Sequence, residues 1–191
     1  GEGTENSSVV PLFENNDLYL GTKNIVNVGK PGFGILETNL DDLTSFNEIH
    51  PDGPLLNTLF SVEVKNNNLW CTFGGYSAAF AFQGNSYTGL SHYVNEQWIN
   101  KPYDSIAEIV DAPRFLSHIA INPFNTDQVY VSSYFSGLID IQNGEIIDIY
   151  DENNSTIVPF SSDICLTLTA SFNREGVLWV TNGRVESPLN K

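Results

Sequence analysis

QVYVSSYFSGLIDIQNGEIIDIYDENN, residues 128–154, reads as three β-strands in succession, separated by tight breaks at Phe135-Ser136-Gly137 and Asn143-Gly144. The second break suits a type I′ hairpin turn, which needs positive φ at both central residues and therefore favours Asn-Gly. The stretch contains no phosphate-binding loop, metal loop or catalytic motif.

The same grammar recurs along the chain. ENNDLYLGT (14–22), KNNNLWCTF (65–73), NTDQVYVSS (125–133) and NREGVLWVTN (173–182) share one plan. In each, a polar turn rich in Asn or carrying Gly leads into an apolar-aromatic-apolar run and then a small or hydroxyl residue. The aromatics are Tyr19, Trp70, Tyr130 and Trp179, at intervals of 51, 60 and 49 residues. Each run follows another apolar run, at 8–13, 59–64, 115–121 and 163–169. Two β-rich runs around a short polar turn make a hairpin, strands A and B. Gly34, Gly89 and Gly137 each open a third short strand, C, and SFNEI, QWIN and EIIDIY supply a fourth, D.

Repetition of four-stranded antiparallel units at this length predicts an all-β fold of β-propeller blades. The blades fall at approximately 8–50, 59–100 and 115–150, with a half blade at 163–182 that stops after strand B, so the whole chain 1–191 reads as an incomplete propeller ring. The alternative is a sandwich of hairpins, which would not require the A-B-C-D order to repeat. A propeller closes with 4–8 blades, so three and a half imply a piece of a longer protein or completion by another chain. Open edges of such a ring favour self-association. Helix is confined to a turn or two in TNLDDLTSF (38–46) or YDSIAEIVDAP (103–113).

In such a meander the A-B and C-D turns share one end, and here they are short. Length accumulates at the other end, in B-C loops over 23–33 and 74–88 and D-A connections over 51–58, 101–114 and 151–162. Binding residues concentrate on loops carried by a rigid scaffold. The candidate binding aromatics are therefore Phe33 in the first long loop and Tyr76, Phe80, Phe82 and Tyr87 in the second. Aromatics beside Gly and Asn suit sugar stacking or protein contact. The alternative is that they pack their own loops onto the blade.

Composition narrows the function. Eight Lys+Arg against 23 Asp+Glu give a net charge of −15, which repels nucleic-acid backbones and anionic membrane surfaces. No stretch approaches the ~20 apolar residues of a membrane span. The opening GEGTENSS has no apolar segment of a secretion signal. Cys71 and Cys165 stand far apart in strand-like runs, as two buried thiols or one disulfide, and match neither a zinc nor a CxxC redox pattern.

No catalytic, cofactor or metal constellation emerges. His50, His92 and His118 lack metal-ligand spacing, and His118, within a strand, reads as a satisfied structural histidine. There is no GxSxG elbow, P-loop or dinucleotide fingerprint. The carboxylates Asp41-Asp42 and Asp151-Glu152 do not match the calcium-loop pattern; Asp151-Glu152-Asn153-Asn154 reads as a solvated turn or, alternatively, a cation loop. Asn6-Ser7-Ser8 and Asn154-Ser155-Thr156 fit the N-glycosylation triplet.

NLWCTFGGYS, TGLSHYVNEQWINKPYDSI, HIAINPFNTDQVYVSSYFSGLIDIQNGEIIDIYDENNSTI and VLWVTNGRVESPLN together resemble the propeller region of PorZ-type proteins, surface components of the type IX secretion system of Bacteroidetes. The resemblance covers roughly residues 59–190. It implies a non-enzymatic role in a complex that processes secreted cargo and attaches it to lipopolysaccharide. It also implies other secretion-complex subunits or surface polysaccharide as partners, and a periplasmic or outer-surface location. The strand grammar is similar, too, to the regulator-type propeller repeats of periplasmic sensors in hybrid two-component receptors, which would make the chain a ligand-sensing module. Asp104-Ser105-Ile106 resembles the short acceptor pattern for O-glycosylation in exported proteins of such bacteria, which marks Ser105 as a candidate glycosylation site.

Overall fold

The computed structural model describes residues 11–27, 30–49, 52–83, 87–108, 113–162 and 164–191. The chain divides into two compact units, Gly1–Gly53 and Pro54–Lys191.

The first unit is one antiparallel meander of β1 (Pro11–Glu14), β2 (Asp17–Asn27), β3 (Lys30–Asn39) and β4 (Asp42–Ile49), in that order across the sheet. Asn15 and Asn16 make the β1–β2 turn at φ 48° and 71°. Asparagine tolerates this left-handed conformation because its short amide bonds locally.

Two expectations are corrected in this unit. The expected loop over 23–33 is, in its described residues 23–27 and 30–33, part of two strands: β2 and β3 stay paired out to Val26↔Pro31 and Asn27↔Lys30, past a register shift between Thr22 and Ile25. Backbone pairing continues through the β-branched Ile25 and Val26, so the length lies in a long hairpin. TNLDDLTSF forms no helical turn. It holds the Leu40-Asp41 turn and the start of β4, where Asp42 accepts from Thr44 N at 3.0 Å, Thr44 Oγ1 at 2.6 Å and Ser45 Oγ at 2.9 Å. Such local side-chain bonds compete with helix, and those from Thr44 foremost hold the Asp42 carboxyl below its usual pKa.

The second unit begins with β5 (Ser61–Lys65), β6 (Asn68–Thr72), a small hairpin of β7 (Gly75–Tyr76) and β8 (Phe82–Gln83), then β9 (Leu90–Val94) and β10 (Gln97–Lys101). A single helical turn, α1 (Tyr103–Ala107), leads to β11 (Leu116–Ile121), β12 (Gln128–Ser133), β13 (Gly137–Gln142) and β14 (Glu145–Tyr150). The chain continues with β15 (Thr167–Phe172), β16 (Leu178–Asn182) and β17 (Leu189–Asn190). The sheets run β10-β9-β6-β5, β11-β12-β13-β14 and β15-β16-β17. The A-B-C-D order thus recurs in three sheets, and the last sheet carries β17 beyond the two strands expected of it.

The turns explain the recurrent asparagines. Asn66-Asn67, Asn95-Glu96 and Asn143-Gly144 all hold positive φ at both positions, which matches hairpin twist. The glycine opening strand C has a different cause. A Cβ on Gly89 would lie 1.9 Å from the Lys101 carbonyl oxygen, and one on Gly137 would lie 2.1 Å from that of Tyr150. In both sheets, strand C begins where the end of strand D leaves no room for a side chain.

The opening stretch forms the central sheet of this unit. Val129, Val131, Ile139 and Ile141 enter one core with Trp70, Leu90 and Leu116. Leu138 enters another with Ile157, Cys165, Ala170 and Val180, and Tyr130 packs against it. Neighbouring residues of one strand face opposite sides, so this sheet is covered on both faces. The first strands come together, with β11 between β5 and β15. Both cysteines are buried free thiols.

Candidate functional site

The antiparallel order sends the connections β6–β9, β12–β13, β14–β15 and β16–β17 out of one end of the second unit. There residues 74–83 of the insertion fold over the sheet ends as an aromatic cluster. Tyr76 lies 5.4 Å from Phe60, 5.9 Å from Phe80 and 6.0 Å from Tyr134, measured between ring centroids. Its phenol donates to the Leu168 carbonyl at 3.0 Å, and burial pushes its pKa up. Phe82 sits 5.2 Å from Phe115 and 6.0 Å from Phe135. Each such pair contributes ~0.5–1.5 kcal/mol beyond area burial.

Ser77 shapes the tip. Its hydroxyl accepts from the amides of Ala79 at 3.2 Å and Ala81 at 3.3 Å, and its carbonyl accepts from Phe80 N at 2.8 Å. Phe80 is held at φ 55°, an unfavourable conformation for an aromatic residue. Its carbonyl receives the Tyr134 hydroxyl and, at 3.3 Å, the Arg184 guanidinium. Arg184 also lies 5.2 Å over the Phe160 ring, and Arg114 lies 5.0 Å over Phe135. Between the tip and the last sheet opens an apolar cavity of about 470 Å³, lined by Phe80, Tyr134, Leu166, Leu168, Arg184 and Leu189 among others.

The structure brings Tyr76, Phe80 and Phe82 into this cluster, and they do two things at once. They pack the insertion onto the sheets, yet Phe80 and Phe82 remain 50% and 58% exposed. Tyr87 stands apart, edge-on to Tyr103 of α1 at 5.0 Å. Phe33 belongs to β3 in the first unit, and its side chain lies outside the described residues. Ser105 sits half-buried in α1, its hydroxyl donating to the Pro102 carbonyl at 2.8 Å. The sequence reading missed Phe60, Arg114, Tyr134, Phe135 and Arg184. The adjacent pairs Arg114-Phe115 and Tyr134-Phe135 were the available signal; Arg184 has no aromatic neighbour in sequence and meets Phe160 only through the fold.

The other candidates resolve individually. His92 stacks on Trp70 at 4.0 Å and pairs through Nε2 with Asn68 Oδ1 at 3.0 Å. His118 is not satisfied as expected, because its Nδ1 is buried without a hydrogen-bond partner. Burial lowers the pKa of both rings. His50 and Asn6-Ser7-Ser8 lie outside the described residues. At 151–154, Asn153 N donates to Asp151 Oδ1 at 2.7 Å, and Asn154 Oδ1 accepts from Asp151 N at 3.0 Å. Glu152 Oε2 accepts from the Cys165 thiol at 2.9 Å. No group of three or more His, Cys, Asp or Glu side chains among the described residues is placed to hold a metal ion.

No family model and no curated protein matches the sequence. A glucose dehydrogenase chain aligns over 95% of this chain and 78% of its own, at 12% identity and a TM-score of 0.30, too low to carry an argument. The fold itself is similar to part of PorZ, described as an essential bacterial surface component of the type-IX secretion system of the human oral bacterium Porphyromonas gingivalis. The identity is 19% and the TM-score 0.69, over 92% of this chain and 23% of PorZ, so the chain spans under a quarter of that protein's length.

Proposed function

We propose that this chain is a β-propeller portion of a PorZ-like surface component of a protein-secretion complex, and that it acts without catalysis by docking a protein partner on its loop end. The observation that carries the reading is the aromatic cluster. Loops from all three large sheets of the second unit converge at one end, where Phe80 and Phe82 are exposed and Phe80 lines a cavity walled by apolar side chains and Arg184. Aromatic and arginine anchors around an apolar hollow are the composition of interface hot spots. The positive charge of Arg114 and Arg184 stands out in a chain of net charge −15, which fits a partner presenting apolar and acidic groups. The repeat of A-B-C-D sheets and the likeness in fold to PorZ support the propeller and the secretion role. No helix among the described residues is long and apolar enough to cross a membrane.

The test is capture from outer-membrane extracts of the source bacterium, comparing the native chain with F80A/F82A and R184A. A defined secretion subunit retained by the native chain and lost from both variants supports the reading. Retention of lipopolysaccharide alone would transfer it to a polysaccharide ligand. Equal capture by native and variant chains would overturn it, as would a gene whose loss leaves cargo sorting intact.

A further inference from the structure

The opposite end of the second unit, where the turns are short, carries a cavity of different chemistry. It has a volume of about 320 Å³ and opens where the last residues of β5, β11 and β15 meet. Its polar lining includes Glu63, Lys65, His118, Ser171 and Arg174, and Phe172 with the isoleucines of β11 forms an apolar wall. Two of the chain's eight Lys+Arg residues stand here with one acid. In a chain of net charge −15 this is a local reversal of sign.

His118 gives the cavity direction. Its Nδ1 is shielded from solvent and has no acceptor, and an orphaned buried N–H is costlier than an orphaned acceptor. With no partner at Nδ1, the favoured neutral tautomer carries its proton on Nε2, and the His118 side chain lines the cavity. His92, whose Nε2 is engaged by Asn68, has no such free donor. Lys65 and Arg174 are exposed and carry flexible charges, whereas Glu63 is half-buried and supplies an acceptor.

From this arrangement we infer that the short-turn end binds a compact organic carboxylate bearing a hydroxyl or ammonium donor. The carboxylate is held by Lys65, Arg174 and His118 Nε2–H, the donor group by Glu63, and the carbon skeleton by Phe172. Sugar acids and free amino acids both present this chemistry. The site lies at the far end from the proposed docking surface and does not depend on it.

The probes are D-glucuronate, L-alanine and, as the uncharged control, D-glucose, each titrated into the full chain by calorimetry while the His118 ring signals are followed by NMR. Saturable binding of glucuronate or of alanine, with matching shifts at His118 and none from glucose, is expected, and the arm that saturates identifies the source. K65Q and R174Q, both surface changes, should each weaken it at least tenfold, while F80A/F82A should leave it unchanged. The inference is overturned if neither carboxylate saturates, if glucose binds as well, or if K65Q/R174Q binds as tightly as the native chain.

Discussion

The phenol of Tyr76 donates to the main-chain carbonyl of Leu168 at 3.0 Å, tying the insertion between β6 and β9 to β15, two sheets away. This bond and the surrounding rings anchor the insertion at its root while its tip, with Phe80 and Phe82, stays open to solvent.

Tyr76→Phe removes the bond and keeps the ring. The expected loss is about 1 kcal/mol, the net worth of one hydrogen bond, seen as a lower urea midpoint with an unchanged m-value. Hydrogen exchange at 77–81 should quicken. Unaltered exchange there would mean that the rings alone fix the insertion.

Gly137 and Gly144 both hold positive φ, at 84° and 78°, but their surroundings differ. A Cβ on Gly137 collides with the Tyr150 carbonyl, whereas one on Gly144 meets nothing within 4 Å. Gly144→Ala should cost about 1 kcal/mol, the left-handed penalty alone, and Gly137→Ala about 3 kcal/mol once β14 is displaced. Thermal unfolding of the two variants measures the gap, and equal losses would contradict the collision.

His92 makes stability depend on pH. Burial holds its folded pKa below the ordinary value, with Asp127 opposing. As pH falls through about 6.5 the unfolded chain takes up the proton first. Stability therefore declines below that pH until the folded ring titrates in turn. His118, lowered by burial against Glu63, adds in the same sense. His92→Phe should lose less stability than the native chain between pH 7.5 and 5.5 in urea titrations. An equal or steeper loss would place the dependence elsewhere.

Cys165 is 1% exposed, and its thiol is pushed up to about 12 by burial and the Glu152 carboxylate. Burial also raises Cys71. Thiolate is the reactive form, so a disulfide reagent at pH 8 should find no fast thiol in the native chain and both thiols in denaturant. Rapid labelling of the folded protein would contradict this burial.

The strands were legible because their signals are local. An apolar-aromatic-apolar run between asparagine turns encodes a hairpin through φ preferences and period-two alternation, and the Asn66-Asn67 and Asn143-Gly144 turns form where those preferences point. Where local and pairing preferences diverged, the reading failed. The stretch 23–33, with its Gly and Asn residues, carries a loop composition, yet 25–27 pair with 30–32, because main-chain pairing across β2 and β3 outweighs composition. Leu189–Asn190 gave no strand signal and is a strand only because the edge of β16 is there to pair with it.

The sequence by itself determined the A-B-C-D order of the main strands and the positions of the tight turns, since each follows from dihedral preference and chain connectivity. Only the tertiary structure decided what those features are for. Tyr134 and Arg184 meet Phe80 across more than fifty residues of chain, and His118 loses its partner through packing rather than through its neighbours in sequence. Desolvation and long-range contact depend on what surrounds a residue in space, and a strand carries no local record of which sheet will cover it.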